Sequence, residues 1–375
     1  MRGKNLIGII FSSIGEKSLG ALTQSRTMGS VPFAGKYKLI DFPLSNMSNS
    51  GINRVGVIVK NNYKSLMDHL GSGKPWNLSR INDGLFVLPP HINGSDTPTN
   101  RIDMLYSIKD FIVESKENYV LLCDCNLICN INYNDVLKSH IEKNADITII
   151  CRKENKFLEN TPESTVLCMD KTYRVKNILI DSPCNKSSQD SYVSLDMMIF
   201  NKNLLIDIIN VCKSHGYTNF KRDVIQNSVN TMKIYGYEIN SFTYKISSLL
   251  EYFNSNMSLI NENIKRELFN SQNPIYTKTY NNIPAKYTEN CKVKNSLISN
   301  GCIIDGEVTG SILFEGVHVG KNSCISNSIV MSGTRIGYNC QLSYTIVDED
   351  TVINMGRKFM GFKSYPVYIS KSKII

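Results

Sequence analysis

Two hydropathy textures follow one another along the chain. In the first, continuous apolar runs of strand length alternate with stretches of helical spacing. Leu6–Phe11 (LIGIIF), Arg54–Val59 (RVGVIV), Tyr119–Cys125 (YVLLCDC) and Asp146–Cys151 (DITIIC) are the runs. Such unbroken apolarity suits parallel strands buried on both faces. Met104–Ser115 and Tyr133–Lys143 carry the helical spacing between them, and a helix is expected to end at Gly51, because glycine enters left-handed φ/ψ without strain. Val193–Phe200 and Lys233–Phe242 read as further strands, Asn203–Cys212 as a helix stopped by Gly216, and Glu251–Asn263 as one more helix. Strand–helix–strand alternation predicts a doubly wound, Rossmann-like α/β domain with ligands at the carboxyl ends of its strands.

From about Val293 the pattern changes to short apolar words separated by Gly, Asn and Asp. Ser296-Leu297-Ile298, Ser311-Ile312-Leu313, Ser328-Ile329-Val330 and Thr345-Ile346-Val347 recur at intervals of 15, 17 and 17. Apolar residues step by five or six within a turn, at Leu313, Val319, Ile325, Val330, Ile336, Leu342 and Val347. Three flat strands per turn with small corner residues produce this spacing, which is the hexapeptide signature of a left-handed parallel β-helix. The expected division is residues 1–272 as the α/β domain, 273–290 as a linker marked by Pro274 and Pro284, and 291–375 as the β-helix.

Composition adds bounds. The 375 residues, 42% hydrophobic and 20% charged, suffice for two domains and a large core. The net charge of +9 is spread without a block of like charges, so nucleic-acid binding gains no support. No apolar run is long enough for a membrane span, and MRGKNLIGIIF reads as a buried strand rather than a secretory signal. A cytoplasmic location is expected, with the 11 cysteines as reduced, mostly buried thiols. Cys123, Cys125 and Cys129 lack the paired spacing of a zinc site.

Within this frame, Val31–Ile52 (VPFAGKYKLIDFPLSNMSNSGI), preceded by Arg26, is the most distinctive stretch. Arg26, Lys36 and Lys38 place three cations on an entry loop, which fits either an anion site or an ordinary solvated loop. In order and spacing the stretch resembles the N-terminal core of ADP-glucose pyrophosphorylases, nucleotidyltransferases that join ATP and glucose-1-phosphate. That family also carries a β-helix after its catalytic domain, so the resemblance runs over essentially the whole chain. Ser65–Lys74 (SLMDHLGSGK) and Leu85–Pro90 (LFVLPP) look like its non-catalytic branch, which Firmicutes make beside an active enzyme.

Nucleotidyl transfer needs a glycine-rich phosphate loop, a cation for the leaving pyrophosphate and carboxylates for magnesium. At the positions where the resemblance locates these groups, the sequence departs from the family. Ser13 and Ile14 stand for the two leading loop glycines, Glu16 for the third and Ser18 for the loop arginine; the following lysine is Met28. The two metal aspartates fall on Asn126 and Lys245, the latter in Lys245-Ile246-Ser247-Ser248 ahead of Asn256-Met257. A lysine a few ångströms from a divalent cation costs several kcal/mol even at an effective dielectric near ~20. The family's Gly-Thr-Ala-Asp-Ala turn aligns with Asn100–Met104, and its sugar-phosphate lysine with Ser182. Asp124, two residues from Asn126 and so on the same strand face, stays open as a compensating ligand.

The resemblance therefore implies a scaffold kept without its catalytic site. No metal cofactor is expected, although the family's enzymes use Mg2+. The expected partner is a catalytic ADP-glucose pyrophosphorylase subunit in a heterotetramer. A phosphorylated effector is expected at Arg26 and Lys38, which match family effector positions, and at Lys36. The competing readings are an active sugar-1-phosphate nucleotidyltransferase with displaced ligands, for instance Asp124 and Asp223, and a hexapeptide acyltransferase using His318.

Overall fold

Leu6–Phe11 is a strand buried along its whole length, and it lies parallel to Tyr119–Asp124 on one side and Arg54–Ile58 on the other. This is a computed structural model, and it describes residues 5–80, 83–89, 100–153, 165–180, 191–279 and 283–375. Packing groups the chain into two units that interleave in sequence. The first comprises Met1–Ile14, Pro43–Asn61 and Gly71–Ser241; the second comprises Gly15–Phe42, Asn62–Leu70 and Phe242–Ile375.

The first unit is built on a nine-stranded sheet. Its parallel centre continues through Gly84–Leu88, as unbroken apolar runs require. The sheet is mixed, however. Ser191–Asn201 runs antiparallel to Tyr119–Asp124 and to Ile147–Lys153, and it is interrupted by a bulge between Ser194 and Met197. Helices pack against the sheet, with Ile102, Leu105, Leu205 and Ile209 fully buried among its apolar side chains. The expected helix over Met104–Ser115 is two, Arg101–Ser107 and Lys109–Val113. Gly51 has φ 74° and ends the helix that includes Asn46 and Asn49. Asn46 and Ser50 latch that helix to the chain beyond it: Asn46 Nδ2 donates to Cys129 O at 3.0 Å, and Tyr133 N donates to Ser50 Oγ at 2.8 Å.

The second unit contains the β-helix, three five-stranded parallel sheets wound from short strands. Register partners Leu297, Ile312 and Ile329 stack one coil apart, as do Ile303, His318 and Arg335. Every expected inward residue from Leu313 to Val347 is buried. The corners explain the Gly/Asn/Asp punctuation. Asn295, Gly310, Asn327 and Tyr344 occupy one left-handed corner, and Gly301, Gly316, Gly333 and Asp350 another. Gly and Asn adopt this conformation at little cost, so the punctuation fixes where the chain turns.

The serines that open the repeated words also have a function in the coil. Ser311 N, Ser328 N and Thr345 N each donate at 3.1 Å to the hydroxyl one coil earlier, Ser296, Ser311 and Ser328 respectively. Ser328→Ala strands the buried Thr345 N–H and is expected to cost about 1–3 kcal/mol. Urea unfolding measures this, with a lower midpoint at unchanged slope.

Ahead of the coils, the single helix expected over Glu251–Asn263 is also two, Leu249–Ser258 and Glu262–Leu268. Each has its own cap: Ser248 Oγ accepts from Glu251 N, and Asn261 Oδ1 from Asn263 N. Two satisfied N-caps so close together define two helix starts.

Candidate functional site

In the first unit the chemistry-bearing residues gather where parallel strands end. Phe11 is in register with Asp124, so Ser12–Ile14 leaves the sheet beside Asp124–Asn126. Ser12 ties this exit down through its N and Oγ, which donate to Ile58 O at 3.2 and 2.7 Å. Ser13 Oγ is buried with no hydrogen-bond partner among the described residues. Ile14 packs on the apolar core, where a phosphate loop would need open backbone N–H groups. Asn126, two residues after Asp124, is buried.

Asp124 itself is clamped. Arg101 Nη2 lies 2.7 Å from both of its carboxylate oxygens, with Arg101 8% and Asp124 4% exposed. The guanidinium sits 4.6 Å from the Phe11 ring centroid and 5.8 Å from that of Phe220. Asn100 starts the Arg101 helix by accepting from Asp103 N at 2.9 Å, which sets the helix phase that aims Arg101 at the strand end.

A second acid is neutralised in the same way. Asp196, at the bulge with φ 56°, is paired to Lys221 at 2.8 Å. Asp223, the other candidate displaced ligand, accepts from Thr218 N and Asn219 N and so closes the turn before the π-helical segment Phe220–Gln226. Among the described residues, no three His, Cys, Asp or Glu side chains are grouped to hold a metal ion. An amide at Asn126 and a carboxylate already held by a guanidinium do not fit magnesium, which takes one or two free carboxylates.

The other sequence-marked residues lie in the second unit. Met28 is fully buried in the short 3-10 turn Met28–Ser30, Ser18 lies in Glu16–Leu19, and Lys245 ends the strand Thr243–Lys245. Ser182 lies outside the described residues.

Of the three candidate anion-binding cations, Arg26 and Lys38 lie within electrostatic reach of each other and of Glu349, whereas Lys36 faces an open pocket. Arg26, 2% exposed, reaches Asp348 Oδ1 at 2.8 Å and Glu349 Oε2 at 3.1 Å through Nη2. Tyr368 donates to Asp348 Oδ2 at 2.6 Å, and Lys371 to Glu349 at 2.7 Å. Burial opposes the Arg26 charge, but the two carboxylates outweigh it and raise its pKa. Burial also pushes Glu349 up, yet Arg26 and Lys371 leave it below its ordinary value. Lys38 is shifted downward by burial and donates to Ser65 O and Oγ at 3.3 and 3.1 Å. Lys36 is exposed and lines an open pocket of about 690 Å3 with Tyr37, Lys265, Arg266, Phe269 and Glu315. His318 is exposed on the outside of its coil.

Comparison with known proteins identifies both parts of the fold. The Nucleotidyl transferase family profile matches residues 15–254, and that of the GlmU-like, C-terminal hexapeptide matches residues 282–362. The glycogen biosynthesis protein GlgD of Bacillus subtilis (strain 168) is 35% identical over 100% of this chain and 98% of its own. The protein of that name from Geobacillus stearothermophilus is 34% identical over 85% of this chain and 82% of its own. The glucose-1-phosphate adenylyltransferase of Fusobacterium nucleatum is 31% identical over 87% of this chain and 85% of its own. The chain belongs to the family of GlgD proteins and glucose-1-phosphate adenylyltransferases.

Within this nucleotidyltransferase-like fold and its left-handed β-helix, the sequence marks Arg101 only as a departure from a family turn. Its carboxylate partner lies 23 residues on and is visible only in the folded unit. Asp348 and Glu349 are marked in the sequence by a run of three acids (Asp348-Glu349-Asp350) in a chain of net positive charge. No helix among the described residues is long and apolar enough to cross a membrane.

Proposed function

We propose that this chain is a regulatory, non-catalytic subunit of glucose-1-phosphate adenylyltransferase. It would act in the cytoplasm in glycogen biosynthesis, assembled with a catalytic subunit into a heterotetramer, and need no metal of its own. The observation that carries the reading is the closed Arg101–Asp124 pair. The acid nearest the family's first metal position has both oxygens on a guanidinium, 2.7 Å away. Buried Met28 in place of the leaving-group lysine and Ile14 in place of a loop glycine point the same way. The names borne by relatives, a glycogen biosynthesis protein and an adenylyltransferase, supply the pathway and the reaction. For the phosphorylated effector we favour Lys36, exposed on an open pocket also lined by Lys265 and Arg266, which share Glu262, over the buried Arg26, which is held by two carboxylates.

The test is ADP-glucose formation from ATP, glucose-1-phosphate and magnesium, by this chain alone and mixed with its catalytic paralogue. The chain alone is expected to be silent, because each lost electrostatic contact costs roughly 10²–10³ in rate. The mixture is expected to show a changed rate or effector response. Turnover by the chain alone at ordinary rates, or a mixture behaving as the catalytic subunit alone, refutes the reading.

A further inference from the structure

We propose that Arg101 takes the part a divalent cation plays in nucleotidyl-transfer sites, so that this strand end holds a phosphoryl oxyanion without metal. The inference deepens the reading above and rests on it in treating the strand end as a disarmed nucleotide site. Magnesium in such a site does two things at once: it neutralises a carboxylate and offers its remaining coordination to a phosphate oxygen. Arg101 meets both requirements within one unit. Its Nη2 neutralises Asp124 through both oxygens. Its Nη1 is buried and has no hydrogen-bond partner among the described residues.

A buried guanidinium N–H left unpaired is costly, and a guanidinium fork is well matched to phosphate. Ser13 Oγ, two residues beyond Phe11 and likewise buried without a partner among the described residues, is a second donor at the same strand end. The rings of Phe11 and Phe220 hold the guanidinium in place. The remaining acid, Asp196, is paired with Lys221, so an incoming oxyanion meets no uncompensated carboxylate from either. The ligand chemistry is a phosphoryl group, carried by a nucleotide or by a sugar phosphate.

The experiment titrates ATP and, separately, glucose-1-phosphate into the full chain by calorimetry, first in EDTA and then with magnesium. At least one is expected to bind in EDTA with an affinity within about twofold of that in magnesium. The ligand that does so identifies the source of the phosphoryl group. Arg101→Lys keeps a charge for Asp124 but gives up the fork, and is expected to weaken that binding about tenfold or more with an unchanged circular dichroism spectrum. A requirement for magnesium, an unchanged affinity in Arg101→Lys, or no binding of either ligand at millimolar concentration overturns the proposal. So does manganese bound to the wild-type chain, seen by electron paramagnetic resonance and lost in Asp124→Asn. Failure to modulate a catalytic partner would sink the regulatory reading and leave the EDTA result standing.

Discussion

Replacing Arg26 with alanine is expected to destabilise the second unit by about 3–5 kcal/mol, the usual cost of removing one partner from a buried ion pair. The size follows from what is left behind. Asp348 is 1% exposed and loses its guanidinium, keeping only the neutral donors Tyr368 Oη at 2.6 Å and Glu349 N at 2.7 Å. Glu349 retains Lys371. Arg26→Lys restores a point charge but not the planar guanidinium whose Nη2 meets both carboxylates, and should recover only part of the loss. Urea denaturation of the three proteins measures the effect, and a loss below about 1 kcal/mol would show that the network does not hold the unit together.

The same network predicts a pH dependence. The pKa of Glu349 is depressed in the folded protein, so its contribution is present above the unfolded carboxylate pKa, near ~4.3. It is lost as pH falls through the lower, folded value, because the unfolded state then binds more protons. The melting temperature of the wild type should therefore fall through this acid range, and that of Glu349→Gln should fall less steeply.

Phe42→Ala is the second large effect, expected at about 3–5 kcal/mol from a buried aromatic cavity. Phe42 is fully buried at the centre of an aromatic cluster. Its ring centroid lies 5.5 Å from Phe33 in an edge contact, 6.0 Å from Tyr37 and 6.2 Å from Phe269. Tyr37 in turn stacks on Phe269 at 5.0 Å, so the cluster also forms one wall of the Lys36 pocket. Phe42→Leu, which keeps most of the volume, should recover more than half of the loss, as core swaps of similar volume do. Equal losses for Ala and Leu, read from urea midpoints, would show that shape at this position decides nothing.

Boundaries and sites differ in how far the chain itself discloses them. Gly51 and Gly216 end helices as their residue type requires, and each continuous apolar run is a strand. By contrast, Ile108 breaks a helix that its periodicity carries straight through. The antiparallel direction of Ser191–Asn201 has no sequence mark, because an apolar run buried on both faces reads alike in either direction.

Everything set by local physics is written in the order of residues. Hydrophobic period decides strand against helix, small residues able to take positive φ decide the coil corners, and repeated serines decide how coils bond. The sequence also sets Ile14, Met28, Asn126 and Lys245 at the positions where the resemblance would look for family groups. The fold alone brings the buried charges together. Arg26 and Asp348 are 322 residues apart, and Arg101 and Asp124 are 23 apart. A buried charge takes whichever opposite charge the fold brings within about 3 Å, at any separation along the chain, and no periodicity or spacing encodes that choice. The same cation thus reads from the sequence as a binding residue, and in the folded chain as one already bound.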